Sequence, residues 1–198
     1  MTKKIITFLT AIMITASSAS FAQNSPYHMY DFDMRVKGSS NVRDWETVAT
    51  ELHLDLRFDE NKPADFIDGT LTDLKLRVPV KKITSSTPGL IRNMRQALKA
   101  DRHPEIIFNL DDIAESPQGK DNSRFTLSAS GTLEIAGVER STPLRVTGRK
   151  RNDDSIELHG SRKLRMTDFN IDPPTALLGA IRARNEIEVV FTVYLRAR

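Results

Sequence analysis

Few groups of residues in this chain have the types and spacing that catalysis requires. His159-Gly160-Ser161 places a histidine near a serine, but it lacks the second glycine of a nucleophile elbow and falls inside a predicted strand. Neither a glycine-rich phosphate loop nor a His-Glu-x-x-His zinc motif occurs in the sequence. The sequence therefore lacks the motifs of the main classes of hydrolase and of phosphate-transfer enzymes.

Residues 168–172 begin like a calcium-binding loop, with Asp168 and Asp172 at its first and fifth positions. The sixth position is Pro173, where the loop needs a glycine for its sharp turn, and the twelfth is Gly179, where it needs a bidentate glutamate. The pattern does not predict a calcium site, and we expect no metal.

The remaining titratable residues are scattered or adjacent in loops. Asp111-Asp112 and Asp153-Asp154 are neighbours in sequence, whose side chains usually point apart, so solvated loop charge is favoured over a glycosidase pair. The four histidines are well separated in the sequence: His28, His53, His103 and His159. We predict no catalytic residue, no metal and no cofactor, and hence a protein that is not an enzyme.

Residues 1–22 have the pattern of a secretory signal peptide. Lys3 and Lys4 give a positive start, Ile5 to Ile14 is apolar, and Ser20-Phe21-Ala22 fits a cleavage site. The chain has no cysteine, which excludes disulfides and thiolate metal ligands. We expect export to the bacterial periplasm, cleavage before Gln23, and a single domain over residues 23–198.

The charge of this expected mature chain is nearly balanced. The 29 basic residues include the two leader lysines, which leaves 27 basic against 26 acidic groups. A near-neutral body does not indicate nucleic-acid binding, although the sequence pI is about 9.2.

The stretch from Phe125 to Gly148 predicts a β-hairpin. Apolar residues from Phe125 to Ile135 fall on one parity and polar residues on the other, which is typical of a strand with one buried face. The run breaks at Gly137 and resumes with Leu144 and Val146, so two antiparallel strands joined by a short turn are expected.

Similar alternation recurs along the chain and predicts an all-β fold. Eight strands are expected, centred on 30–36, 48–58, 69–80, 106–110, 125–135, 144–148, 156–166 and 187–195. Between the third and fourth strands, Leu90, Ile91, Met94, Ala97 and Leu98 recur at helical spacing. This predicts one amphipathic helix, with Thr87 as its N-cap, that covers an end of the core. Eight antiparallel strands suffice to close a barrel that is filled or holds one small ligand.

The order of several short segments resembles the YceI-like family of exported proteins. The matching segments are 38–45, 97–108, 131–138, 142–144 and 166–171. The resemblance covers essentially the whole expected mature chain. It implies an extended eight-stranded antiparallel, lipocalin-like barrel enclosing an apolar cavity for a polyisoprenoid or a similar long chain.

On this resemblance we expect a periplasmic, non-catalytic carrier for a long apolar ligand such as a polyisoprenoid or another lipid. No nucleic acid and no transmembrane helix are expected, and the oligomeric state stays open. The candidate cavity residues are apolar positions of one parity on the strands: Leu54, Leu56, Leu74, Leu76, Phe108, Phe125, Leu127, Leu133, Val189 and Phe191. For each of them, plain core packing is the alternative.

Two other functions stay open at this point. An outer-membrane barrel would show the same alternation, but the mid-chain helix and the 7% aromatic content disfavour it. A barrel enzyme acting on a lipid-like substrate would need a buried titratable group in the cavity, and the sequence offers no clear candidate.

The leader predicts where the exported protein begins. Cleavage after Ala22 gives a mature chain that starts at Gln23, because small residues stand at both recognition positions of the site. The intact mass of the protein recovered from the periplasm checks this. A mass that still includes residues 1–22 would contradict both the cleavage and the argument for export.

Overall fold

The structure, a computed structural model, describes residues 25–62, 66, 70–87, 89–114 and 123–198. The expected leader and cleavage site lie outside these residues. The described residues form these elements: β1 (Tyr27–Ser40), β2 (Asp44–Ala49), β3 (His53–Phe58), β4 (Leu71–Pro79), β5 (Ile83–Thr84), α1 (Leu90–Ala97), β6 (Glu105–Ala114), β7 (Arg124–Ile135), β8 (Val138–Lys150), β9 (Ile156–Arg165), β10 (Thr175–Ala176) and β11 (Ile181–Ala197). Two short 3₁₀ turns, Val80–Lys82 and Met166–Phe169, complete the chain's regular structure within those residues.

The predicted fold class, all-β and antiparallel with one helix, is confirmed, but the strand count differs. The expected second strand is divided into β2 and β3, which have different partners: β2 pairs with β1 and β5, whereas β3 pairs with β4. Strands β5 and β10 are additional, and each is only two residues long. The described chain therefore has eleven strands where eight were predicted.

The strands form one curled sheet in the order β3-β4-β6-β7-β8-β9-β11-β1-β2-β5, with β10 paired to β11. Every pairing is antiparallel. Within the described residues this path ends at β3 and β5 and does not return on itself. The sheet thus curls around an interior as a half-barrel without a continuous ring of hydrogen bonds.

The hairpin expected from the sequence is present as β7 and β8. Their register runs from Arg124 opposite Arg149 to Ile135 opposite Val138. Ala136 and Gly137 connect the strands with φ angles of 53° and 79°. Positive φ at both central residues is the geometry of a type I′ turn, whose twist matches that of paired strands.

Helix α1 follows β5 and precedes β6, in the place where the sequence predicted a helix. The predicted N-cap was wrong, because Gly89 and not Thr87 holds that position, in the left-handed conformation. At the other end the amides of Lys99 and Ala100 donate to the carbonyls of Gln96 and Arg95, which is the Schellman arrangement. Arg95 also donates to the carbonyl of Lys81 and ties the helix to the preceding turn.

The inner face of the sheet is apolar and the outer face carries ion pairs. One part of the interior is filled by a cluster that includes Leu56, Phe66, Phe125 and Leu195, of which Leu195 has no exposed surface. On the outside, ion pairs such as Arg35 with Glu46 lie across neighbouring strands. The space around this cluster is therefore filled, while some inward side chains elsewhere, such as Leu76 and Leu133, are only half-buried.

This difference predicts unequal costs for two leucine substitutions. Leu195→Ala should lower the free energy of unfolding by about 2–5 kcal/mol, because it leaves a void in a filled core. Leu133→Ala should cost clearly less, because Leu133 is only partly buried in the structure. Denaturant melts of the two variants check this, and equal losses would contradict the assigned packing.

Candidate ligand-binding cavity

A cavity of about 920 Å³ lies inside the curled sheet. The strand register arranges its inward side chains in rows that cross neighbouring strands. One wall carries a row in which Leu54, Leu76, Phe108 and Leu133 pair in turn across β3, β4, β6 and β7. The lining is mostly aliphatic and aromatic, as in sites that enclose apolar ligands.

The structure places most of the predicted site residues on the cavity wall. Eight of the ten line it: Leu54, Leu74, Leu76, Phe108, Leu127, Leu133, Val189 and Phe191. Leu56 and Phe125 do not, because both are almost completely buried among other side chains of the filled cluster. For these two, the alternative of core packing holds. Ligand contact by the other eight stays a prediction.

Several lining residues were not among the predicted ones. Helix α1 turns Leu90 and Met94 toward the cavity, and Ala97 and Leu98 extend this face. These four residues belong to the apolar series whose helical spacing predicted the amphipathic helix. Trp45, the single tryptophan of the sequence, also lines the cavity.

Four aromatic rings lie on glycines of the sheet. Trp45 lies on Gly38 and Phe191 on Gly160, each directly opposite in the register. Phe125 on Gly148 repeats this arrangement, whereas Phe108 lies on Gly131, two residues away from its register partner Leu133. A Cβ at any of these glycines would overlap the ring. The absent side chains thus let the rings lie close to the wall, as glycine in a strand often allows a close approach.

One edge of the cavity is formed by an exposed apolar turn. Leu177 and Leu178 connect β10 to β11 with φ angles of 51° and 55°, and Leu177 is 74% exposed while Leu178 is fully exposed. The left-handed conformation is costly for a side chain of this kind. Asn41 helps to hold the turn, since its side chain donates to the carbonyl of Ala180 and accepts from the amide of Arg182. We call the turn at Leu177 and Leu178 the mouth of the cavity.

The charged side chains that line the cavity in the described part of the chain are all arginines. Arg43, Arg92 and Arg165 are exposed, whereas Arg162 is partly buried. None of the four histidines lines it. His53 instead lies beside Glu51, with 3.0 Å between Nε2 and Oε1.

Among the described residues, the carboxyl groups whose pKa is shifted all lie outside the cavity. Hydrogen bonding from Lys82 is the main cause of a lowered pKa at Glu51, and hydrogen bonding from Arg35 has the same effect on Asp33. A lowered carboxyl pKa contributes stability that is fully present above the ordinary carboxyl range, and this contribution is lost as the pH falls through the lowered pKa. These groups therefore respond to acid and not to changes near neutrality.

The profile of the YceI-like domain matches residues 12–195 of the sequence. The chain belongs to the YceI-like family. The resemblance drawn from the short segments is thus confirmed. A comparison with curated protein sequences finds no significant match.

Solved structures similar to this YceI-like protein include three bacterial ones. BcnA of Burkholderia cenocepacia superposes with a TM-score of 0.62 at 16% identity, covering 84% of this chain and 96% of its own. A polyisoprenoid-binding domain from Saccharophagus degradans, implicated in plant cell wall breakdown, gives 0.64 at 9%, covering 87% and 99%. A YCEI protein of Campylobacter jejuni gives 0.52 at 17%, covering 75% and 82%. At these identities the similarity shows a shared fold.

The described residues contain neither a metal-binding cluster nor a helix that could cross a membrane. Among the described residues, no group of three or more His, Cys, Asp or Glu side chains is arranged to hold a metal ion. No helix in the same part of the YceI-like chain has the length and apolar character needed to cross a membrane.

The absence of histidine and carboxylate from the described lining predicts binding that is insensitive to pH. A fluorescent polyprenol analogue, which has no ionisable group, should bind with nearly constant affinity from roughly pH 5 to 8, the range in which histidine titrates. Replacing His53, His103 or His159 by alanine, one at a time, should leave this affinity unchanged. Fluorescence titration checks both statements. A histidine variant that folds but no longer binds would contradict them.

Proposed function

We propose that this YceI-like protein binds a long apolar or amphiphilic chain, such as a polyisoprenoid, and carries it through the periplasm without altering it. The observation that carries the proposal is the 920 Å³ cavity with its mostly apolar lining. The family and its polyisoprenoid-binding structural neighbour support a binding or carrier role in general, without specifying the ligand or the compartment.

The energetics of such a cavity favour a hydrocarbon chain. Each CH₂ group removed from water contributes about 0.8 kcal/mol. A chain in contact with several rows of leucine and phenylalanine therefore needs few polar contacts to bind. The rings that lie on glycines keep this space free, since they remain close to the sheet.

The periplasmic location is part of the proposal and rests on the sequence alone. The leader pattern of residues 1–22 and the lack of cysteine support it. A soluble carrier in that compartment would shield its ligand from water on the way between membranes.

A lipid-modifying enzyme is the competing function. General acid–base or nucleophilic catalysis requires a side chain that exchanges a proton near the bound substrate. In the described residues the cavity has no histidine, aspartate or glutamate on its wall. This lining favours binding over such catalysis.

Narrowing the cavity tests the proposal. Leu76→Trp and Leu127→Trp each add bulk to a residue of the wall, and either change should abolish or strongly reduce uptake of a fluorescent polyprenol analogue. The fold should persist, although overpacking costs about 1–3 kcal/mol. Ile107→Trp is the matched control, because Ile107 is next to Phe108 on β6 but does not line the cavity.

Uptake is measured by ligand fluorescence, and folding by circular dichroism. Unchanged binding in both wall variants would contradict binding inside the cavity. Chemical conversion of the ligand by the unmodified protein would favour the enzyme.

A further inference from the structure

Arg162 occupies a position where the sheet otherwise places apolar side chains or glycine. On β9, Ile156, Leu158, Gly160 and Leu164 are buried on the inward parity, and Arg162 shares that parity. It lines the cavity, and its Nε atom is buried without a hydrogen-bond partner.

Thr47 presents a second unsatisfied polar atom to the same cavity. Thr47 is 1% exposed, lines the cavity, and its Oγ1 has no hydrogen-bond partner. The register connects the two positions, because Arg162 pairs with Val189, Val189 with Val36, and Val36 with Thr47. The two polar residues therefore stand in one row across β9, β11, β1 and β2, separated by two valines.

An unpaired arginine in apolar surroundings is costly unless something compensates its charge. The ion pairs within the described residues join other arginines and lysines to carboxylates, and none of them includes Arg162. No carboxylate of these residues lines the cavity. The described part of the chain thus offers Arg162 no partner carboxylate, and a bound anion would supply the missing negative charge.

We propose that Arg162 and Thr47 bind the anionic head group, a carboxylate or a phosphate, of an amphiphile whose apolar chain occupies the rest of the cavity. The guanidinium can donate two parallel hydrogen bonds to either group, and the threonine hydroxyl can donate a third. This inference rests on the proposed carrier function and specifies its ligand class.

The register also fixes the depth of this polar row. Toward the mouth, the next row holds Leu164, Ile187, Gly38 and Trp45. Away from the mouth, the following rows hold Phe191 and Val193 and lead to the filled cluster around Leu195. The head group therefore lies behind Trp45, inside the cavity and not at its exposed edge.

Matched pairs of probes separate the head group from the chain. The fluorescent fatty acid cis-parinaric acid and its methyl ester share one chain but differ in charge. Acetate and inorganic phosphate, as competitors, carry the charge without a chain. The titrations use protein produced from the whole 198-residue sequence.

The unmodified protein should bind the acid at least tenfold more tightly than the ester, which is about 1.4 kcal/mol. Arg162→Met should remove this preference and leave ester binding intact, which also shows that the cavity is still formed. Arg162→Lys should retain part of the preference, since it keeps the charge but loses the bidentate geometry. Thr47→Val should weaken acid binding by roughly threefold to tenfold, because one hydrogen bond to a charged group is lost. Lys163→Met, a neighbouring cation whose side chain pairs with Glu186 on the outer face, is the control and should change nothing.

The outcomes distinguish this inference from the carrier function. Equal binding of acid and ester by the unmodified protein, unchanged in Arg162→Met, would overturn the head-group site and leave the carrier function standing. Binding of neither probe would overturn both. Competition by acetate or phosphate at millimolar concentration, with no tighter binding of the long-chain acid, would assign the site to a free anion and overturn the amphiphile.

Discussion

The structure depends on one requirement: the curled antiparallel sheet must bury its inward face against itself, since the described residues form a single sheet. Alternation sends every second side chain into the interior, and curling brings those side chains toward one another. Around Leu195 they meet and fill the space. Farther along the same strands they do not meet, and helix α1 and the turn at Leu177 enclose the space that remains.

Much of this fold can be read from the sequence, because a period of two is a local property. The β7–β8 hairpin and the helix between β5 and β6 lie where the pattern placed them. The division of the second strand at Thr50 and the two-residue strands β5 and β10 were not predictable in this way. Two residues have no period, and the break at Thr50 separates strands whose partners, β1 and β5 for β2 but β4 for β3, lie elsewhere in the sequence.

Because alternation is a local property, it also limited which residues of the site could be predicted. Parity tells which face a side chain occupies but not how far along the interior it lies, so Leu56 and Phe125 could not be separated from Leu54 and Leu127. Arg162, in contrast, left a signal in the sequence. It interrupts an inward series on β9, and the interruption becomes meaningful only once the opposite wall is known to lack carboxylates among the described residues.

The rings that lie on glycines have a consequence for how such proteins diverge. Backbone hydrogen bonds hold the sheet together, while glycines opposite or beside aromatic rings let those rings lie close to its inner wall. Exchanging one glycine for a larger residue would tilt a ring inward and shorten or constrict the space without altering the register. The positions that hold the sheet together thus differ from those that shape its interior, so proteins of this fold can diverge in sequence and in interior shape while keeping one architecture.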